Sequence, residues 1–269
     1  MPIQDKVSRF GQHFMTDQTM IDNIIIFADI KEKETVIEIG TGTGILTEAL
    51  AETGCALTSY EIDTTLKTHH ETLKKKYKNL IIIYENVLKS ELPQFDKIVA
   101  NIPYNISEPL ILKLSRYDFK EGILTVNKSF AEKMLDMERE PSLLSLFAPA
   151  YFDMKFLEIV PKSSFEPRPR ISSAIISIRP IKKESLIDDK IRYITRLLFD
   201  RRTKKTENAL LEAIIDYKTL KDKKRYTKNK SREFIATLNL DIKTLDKKVI
   251  MLSFEELSTL LDKIKDRLE

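Results

Sequence analysis

The sequence predicts an α/β fold: a mostly parallel, doubly wound sheet with an antiparallel edge, followed by a small all-helical C-terminal domain. Three observations carry this expectation. Short β-branched runs alternate with segments of helical period from Thr35 to Val126, the pattern of parallel βαβ units. A glycine-rich turn, Gly40-Thr-Gly42-Thr-Gly44, separates the first of these strands from its helix. After Lys182-Lys183-Glu184 the strand signals stop and only helical spacing follows.

The elements follow in order. Lys6 to Asp17 is a mixed polar and aromatic lead-in, read as an arm anchored by Phe10 and Phe14. Ile21 to Ile30 has helical spacing, with Asp17 placed to cap it. Thr35 to Ile39 is a buried strand, and Ile45 to Glu52 the helix after the glycine turn. Ala56 to Tyr60 is a second strand, ending at Glu61-Ile62-Asp63. Glu61 lies about 20 residues past the first glycine, where an acidic residue accepts hydrogen bonds from ribose hydroxyls. Thr64 to Tyr77 reads as a basic helix that carries His69 and His70 on a solvated face. Leu80 to Tyr84, Lys97 to Ala100 and Gly122 to Val126 are further strands, with a helix from Pro109 to Leu114. Met154 to Val160 and Ser173 to Ile178 read as a hairpin-type pair at one sheet edge, joined by a proline-rich loop. Ile191, Ile194, Leu197 and Leu198 share one helix face, as do Phe254, Leu257, Leu261, Ile264 and Leu268. A boundary near Lys183 gives domains 1–183 and 184–269.

Composition narrows the function. At 269 residues and 42% hydrophobic, the chain can bury one good core and a smaller second unit. Cys55 is the one cysteine, which excludes an internal disulfide and a zinc cluster and points to a reducing compartment, the cytoplasm by default. His13, His69 and His70 lack metal-ligand spacing with Cys55 or one another, so no metal is expected. No apolar run approaches a membrane span. A net charge of +4 is compatible with a nucleic-acid partner.

The most informative stretch is Asn101-Ile102-Pro103-Tyr104. Pro103 has no N–H and ends strand pairing, which gathers an amide, a free carbonyl and an aromatic ring at the carboxyl end of a strand. This resembles the Asn-Pro-Pro-Tyr type motif of methyltransferases that act on exocyclic amino groups. Such an amino group is a poor nucleophile because its lone pair is delocalised into the ring. The Asn101 side-chain oxygen and a backbone carbonyl, at Ile102 or Pro103, would hold both hydrogens and turn the lone pair toward a methyl donor. Tyr104 would stack on a flipped base. The glycine spacing supports an adenosyl amino-acid ligand over a pyrophosphate, because Ile45 stands where a dinucleotide site requires glycine and Glu38 sits two residues before Gly40. Phe165, among prolines and charges, reads as exposed. It serves either as a loop anchor under the sheet or as the second face of an aromatic clamp, with Lys162, Arg168 and Arg170 able to track phosphates. Arg201, Arg202, Lys204 and Lys205 form either a solvated helix face or phosphate contacts. The run from Lys221 to Lys230, with Tyr226 inside it, leans toward RNA.

Five blocks in order resemble the KsgA/Erm family of ribosomal RNA adenine N6-dimethyltransferases. They are Gly11-Gln12-His13-Phe14, Glu38 to Thr47, Glu61 to Asp63, Asn101 to Ser107, and Phe165 to Ala174. The segment Phe199 to Leu210 resembles the family's basic helix, Gly11 favours the KsgA-like branch, and His13 is similar to archaeal members. The resemblance implies a Rossmann-like class I methyltransferase that uses S-adenosylmethionine and no metal. His13 and Met15 would line the methionine side through an N-terminal lid, and Gly40 and Gly42 would approach the cofactor closely. Glu61 would hold the ribose, Ile62 the adenine face and Asn86 the adenine amino group. Asn101 would sit between donor and target, binding the cofactor as well as the base, and with Pro103, Tyr104 and Phe165 it would surround the target base; Arg168, Arg170, Arg201, Arg202, Lys204 and Lys205 would meet RNA. The implied reaction is double methylation of two adjacent adenosines near the 3′ end of small-subunit ribosomal RNA, by a cytoplasmic monomer acting in small-subunit biogenesis.

The chain departs from the family pattern in places. Asn86 stands where the family usually has Asp, Asn127-Lys128-Ser129 replaces Gln-Lys-Glu, the segment from Pro141 lacks a usual tyrosine start, and Glu207 replaces an arginine. The rival readings are an Erm-type enzyme acting on large-subunit RNA and conferring macrolide resistance, and a non-catalytic ribosome-assembly factor. A nicotinamide oxidoreductase is disfavoured by Ile45.

Overall fold

A computed structural model describes residues 12–135 and 142–268. The lead-in before Gln12, with Gly11 in it, and Pro141 lie outside the described residues. The chain divides into two compact units, residues 12–135 with 153–180, and residues 142–152 with 181–268.

In the first unit, β1 (Phe14–Met15) leads into α1 (Gln18–Ala28), which Asp17 caps by accepting from the Thr19 and Met20 N–H groups. Then come β2 (Thr35–Ile39), α2 (Ile45–Glu52), β3 (Ala56–Tyr60), α3 (Lys67–Lys76), β4 (Leu80–Ile83), β5 (Lys97–Asn101), α4 (Ser107–Leu114), β6 (Glu121–Asn127) and α5 (Lys128–Met134). After α6 (Leu143–Tyr151) the chain adds β7 (Phe152–Val160), β8 (Phe165–Glu166) and β9 (Ser173–Pro180).

Seven strands form one sheet in the order β4-β3-β2-β5-β6-β9-β7. From β4 to β6 neighbours run parallel, and β9 runs antiparallel to β6. Runs such as Val36–Ile39 and Ile98–Ala100 are buried throughout, as strands covered by helices on both faces must be. The chain winds outward from β2 in one direction through β3 and β4, then returns to β2's other side with β5. That makes β2/β5 the topological switch point, where open α/β sheets bind ligands. Its register, Ile39 beside Ala100, brings Gly40 and Asn101 together at the strand ends. Lys97 opens β5 and donates to the Ala28 and Asp29 carbonyls at 2.6 and 2.8 Å, which satisfies the exposed end of α1. A separate two-stranded pairing of β1 with β8 sets Met15 opposite Phe165.

The second unit contains α6, α7 (Lys190–Asp200), α8 (Thr206–Asp222), α9 (Lys228–Thr237), α10 (Ile242–Asp246) and α11 (Phe254–Arg267). It takes in residues 142–152, which a boundary near Lys183 leaves with the sheet. The reason is the packing of α6. Phe147 meets Phe199 edge-on at 5.0 Å, the Tyr151 hydroxyl donates to Asp200 at 2.6 Å, and Arg192 donates twice to the Pro149 carbonyl. Among the described residues no helix is long and apolar enough to cross a membrane.

Candidate active site

The switch point opens as a cleft lined by Gln12, His13, Phe14, Gly40, Gly42, Glu61 and Asn101 to Tyr104. A neighbouring hollow shares Phe14, Gly40, Gly42 and Asn101 with it and reaches Met15.

Glu61 organises one end. The end of β3 buries its carboxylate to 1% exposure, where Oε2 accepts from Gly42 N–H at 2.9 Å and Oε1 from Asp63 N–H at 2.8 Å. Gln12 donates to Oε1 at 3.4 Å. A carboxylate has about four lone-pair positions, so acceptor capacity remains for hydroxyls. Beside it, Ile62 keeps 42% of its surface exposed, unusual for an isoleucine next to a buried acid and suited to an adenine face. Asn86 is half-buried, and its Oδ1 accepts from the Leu88 N–H at 3.0 Å. Gly42 has φ +56°, and a Cβ there would lie 3.0 Å from the Phe14 ring, so a side chain would be strained and would crowd Phe14. These features fit a nucleoside bearing an amino-acid arm: an acceptor for the ribose, an apolar face for the base and a backbone open to close approach.

Asn101 organises the other end. Its Nδ2 donates to the His13 carbonyl at 3.0 Å. A carbonyl only accepts, so this contact fixes which way the amide points and leaves Oδ1 as its free acceptor. Pro103 O accepts from the Ile106 N–H at 3.0 Å. Of the two carbonyls open in the sequence reading, Ile102 O is therefore the one with no intrachain donor among the described residues. Tyr104 is half-buried, its ring 5.5 Å from that of His13 and its hydroxyl 2.6 Å from Ser173 Oγ. Burial holds its phenol above the ordinary tyrosine range, so it stays neutral. His13 in turn donates from Nδ1 to the Pro167 carbonyl at 2.8 Å.

Under the glycine turn lies Glu38, fully buried. Its Oε2 accepts from Thr47 and Ser59 hydroxyls at 2.7 and 2.6 Å, and Ser59 Oγ lies 2.7 Å from Thr41 Oγ1. Burial pushes its carboxyl up to about 7, with the two hydroxyls opposing and Glu61 adding to the rise. A folded pKa above the unfolded value of roughly 4.3 favours folding while the group is protonated. That contribution is complete below the unfolded pKa and is lost as pH rises through about 7. The unfolding free energy of the native protein relative to Glu38→Gln should therefore decline from about pH 4.5 to about 7 and level off above. Denaturant melts across that range check it, and a flat or rising difference would contradict it.

Two placements correct the sequence reading. Phe165 is 1% exposed rather than solvated: β1/β8 pairing turns its ring into the cluster that contains Met15 and Val160. His70 is wholly buried, while His69 is exposed as expected. The basic residues also divide. Arg168 and Arg170 are exposed. Arg201 pairs with Glu212 at 2.9 Å and with Asp216, Lys204 with Glu212 at 2.7 Å, and Lys205 with Asp246 at 2.8 Å. Arg202 donates to the Phe199 carbonyl at 3.4 Å. Ile102 lines the cleft as one of the two carbonyls the sequence offers, and Phe14, an anchor of the lead-in, lines it as well. The contact of Gln12 with Glu61, 49 positions away, is made only by the fold.

A model of the ribosomal RNA adenine dimethylase family matches residues 3–250. A protein of Methanosphaera stadtmanae named probable ribosomal RNA small subunit methyltransferase A is 35% identical over 221 residues, covering 79% of this chain and 81% of that one. Its namesake in Methanosarcina barkeri is 36% identical over 210 residues, covering 77% and 73%. Among solved structures, a dimethyladenosine transferase from Plasmodium falciparum superposes with a TM-score of 0.64 at 27% identity, over 95% of this chain and 98% of that one. The 23S rRNA methyltransferase ErmE superposes with a TM-score of 0.60 over 94% and 99%, and at 22% identity that likeness speaks to the fold alone.

Proposed function

The chain belongs to the ribosomal RNA adenine dimethylase family, and we propose that it dimethylates two adjacent adenosines near the 3′ end of small-subunit ribosomal RNA. It is an S-adenosylmethionine-dependent rRNA adenine dimethyltransferase. The observation that carries the residue-level reading is the Asn101 amide, oriented by the His13 carbonyl so that Oδ1 remains an acceptor beside Ile102 O.

S-adenosylmethionine, when bound, supplies a methyl group on a sulfonium, so the acceptor nitrogen needs no strong general base. Glu61 would accept from the ribose hydroxyls, Ile62 would pack on the adenine, and Asn86 would face the adenine amino group. His13 and Met15 would border the methionine side, and Gly40 and Gly42 would let the backbone come close to it. Asn101 Oδ1 and Ile102 O accept the two N6 hydrogens of the target, which turns the nitrogen lone pair out of conjugation. Pro103 ends the strand so that Ile102 O is released, and the Tyr104 ring offers the target a stacking face. Catalysis is then mostly orientation. Phe165 contributes from beneath, by holding the lid strand β1 through β8.

Small-subunit specificity is supported by the names of the archaeal relatives and by Gly11. The single buried cysteine and a ribosomal substrate support a cytoplasmic site of action. The decisive assay is transfer of labelled methyl to small ribosomal subunits that lack the modification, with large subunits alongside. Label in small subunits is expected. Label confined to large subunits would favour the Erm-type reading, and none with cofactor bound would favour a binding-only assembly factor.

For RNA contact, the second unit offers better cations than Arg201, Lys204 and Lys205, which already hold carboxylates. Lys223, Arg225 and Lys228 are exposed, have no ion pair among the described residues, and line one groove with Tyr226. Replacing Arg225 and Lys228 together with alanine should weaken RNA binding and lower the salt slope of log K by roughly 1 per lost phosphate contact. Replacing Arg201 should instead lower stability, by leaving Asp216 without its partner and Glu212 with Lys204 alone. Salt titrations of RNA binding check this, and an unchanged slope in the first variant would contradict it.

A further inference from the structure

Helix α3 turns two side chains inward at the glycine turn, Leu73 and His70, and only the second is polar. His70 is 0% exposed, with Nε2 2.9 Å from Gly42 O and Nδ1 2.9 Å from the Tyr84 hydroxyl. The Gly42 carbonyl can only accept, so Nε2 carries the hydrogen; in the neutral ring Nδ1 then accepts, and Tyr84 donates. The imidazole also stacks on the Tyr84 ring, at 5.8 Å and 19°, and the Lys67 ammonium lies over that ring at 4.7 Å.

What these bonds hold is the ligand end of the cleft. The Gly42 N–H donates to Glu61, and the Gly42 carbonyl accepts from His70. The two peptide planes on either side of the Gly42 Cα are thus both fixed, at a residue type whose backbone is otherwise the freest in the chain. Tyr84 directly precedes Glu85-Asn86, so the same imidazole ties the glycine turn to the segment that carries Asn86. A leucine would fill the space but leave a buried carbonyl and a hydroxyl without partners.

We infer that His70 is a positioning residue for S-adenosylmethionine, holding Gly42 and Tyr84 so that Glu61 and the Asn86 segment are set before the ligand arrives. This rests on the reading that Gly42, Glu61 and Asn86 form the cofactor end of the site. Preorganisation of this kind is read in affinity, because ordering a loop at the moment of binding weakens it.

The test is calorimetric titration of S-adenosylmethionine into the native protein and into His70→Gln, His70→Asn, His70→Leu and Glu61→Ala, with circular dichroism melts and kcat at saturating cofactor. A glutamine nitrogen reaches where Nε2 lies, whereas an asparagine nitrogen reaches only Nδ1. Kd should stay within about threefold of native in His70→Gln and rise about tenfold in His70→Asn and His70→Leu, with kcat held within about twofold. If His70→Leu does not fold, the glutamine and asparagine pair decides. Native-like affinity in His70→Asn, or equal weakening in His70→Gln and His70→Asn, would overturn the inference. Weak binding by Glu61→Ala beside native-like His70 variants would sink the role of His70 alone. Native-like binding by Glu61→Ala would overturn the site reading beneath it.

Discussion

Asn101→Ala should slow methyl transfer at saturating S-adenosylmethionine by roughly 10²–10³-fold, in line with the removal of one well-placed polar group from a reacting centre. The loss is expected mainly in kcat, because in the proposed arrangement Oδ1 accepts from the target amino group. Without it one N6 hydrogen has no acceptor, the nitrogen stays conjugated with the ring, and the lone pair does not face the donor. The geometry makes a sharper statement through Asn101→Asp. That variant keeps an acceptor, yet it sets a carboxylate oxygen against the His13 carbonyl in place of the 3.0 Å N–H···O bond. It should therefore recover little activity, although its charge alone would make it a better acceptor. Single-turnover rates for the three proteins, with cofactor affinity measured separately, check both expectations. An Asn101→Asp enzyme as fast as native would show that orientation by His13 is unimportant.

Glu61→Ala should raise the Kd for S-adenosylmethionine by roughly 10²-fold, since it removes a charged acceptor and leaves its former donors unpaired. Those donors are the Gly42 and Asp63 N–H groups, at 2.9 and 2.8 Å, and the Gln12 amide at 3.4 Å. The ribose loses its partner and the glycine turn loses the anchor that shapes it. Glu61→Gln should fall between alanine and native, because an amide oxygen can accept from one N–H group but its NH₂ faces the other. Calorimetry resolves the series, and equal affinity across it would remove Glu61 from the site.

Much of this was legible from residue order. Alternating β-branched runs and helical spacing determine a parallel sheet because fully buried strands tolerate little else. A proline two residues past the asparagine that closes β5 marks the strand end that carries chemistry. The parts that stayed hidden depend on partners far along the chain. Phe165 sits among prolines and charges, and only its pairing opposite Met15 buries it. His70 lies between Lys67, Glu71 and Lys74 on a helix that composition reads as solvated, and its burial follows from α3 docking over the glycine turn. The positive run from Arg201 to Lys205 reads as free charge until the fold brings up Glu212, Asp216 and Asp246. The α6 helix follows the sheet in sequence but packs by its aromatic face on α7, so chain order misplaces it.

If Asn101 Oδ1 and Ile102 O present an adenine N6 to the methyl donor, mass analysis of nucleosides from small-subunit RNA, after incubation with the protein and S-adenosylmethionine, reads it out. N6,N6-dimethyladenosine is the expected product, present with the native protein and absent with Asn101→Ala. Methylation at a ring nitrogen or a ribose oxygen, or a product that persists in Asn101→Ala, would contradict it.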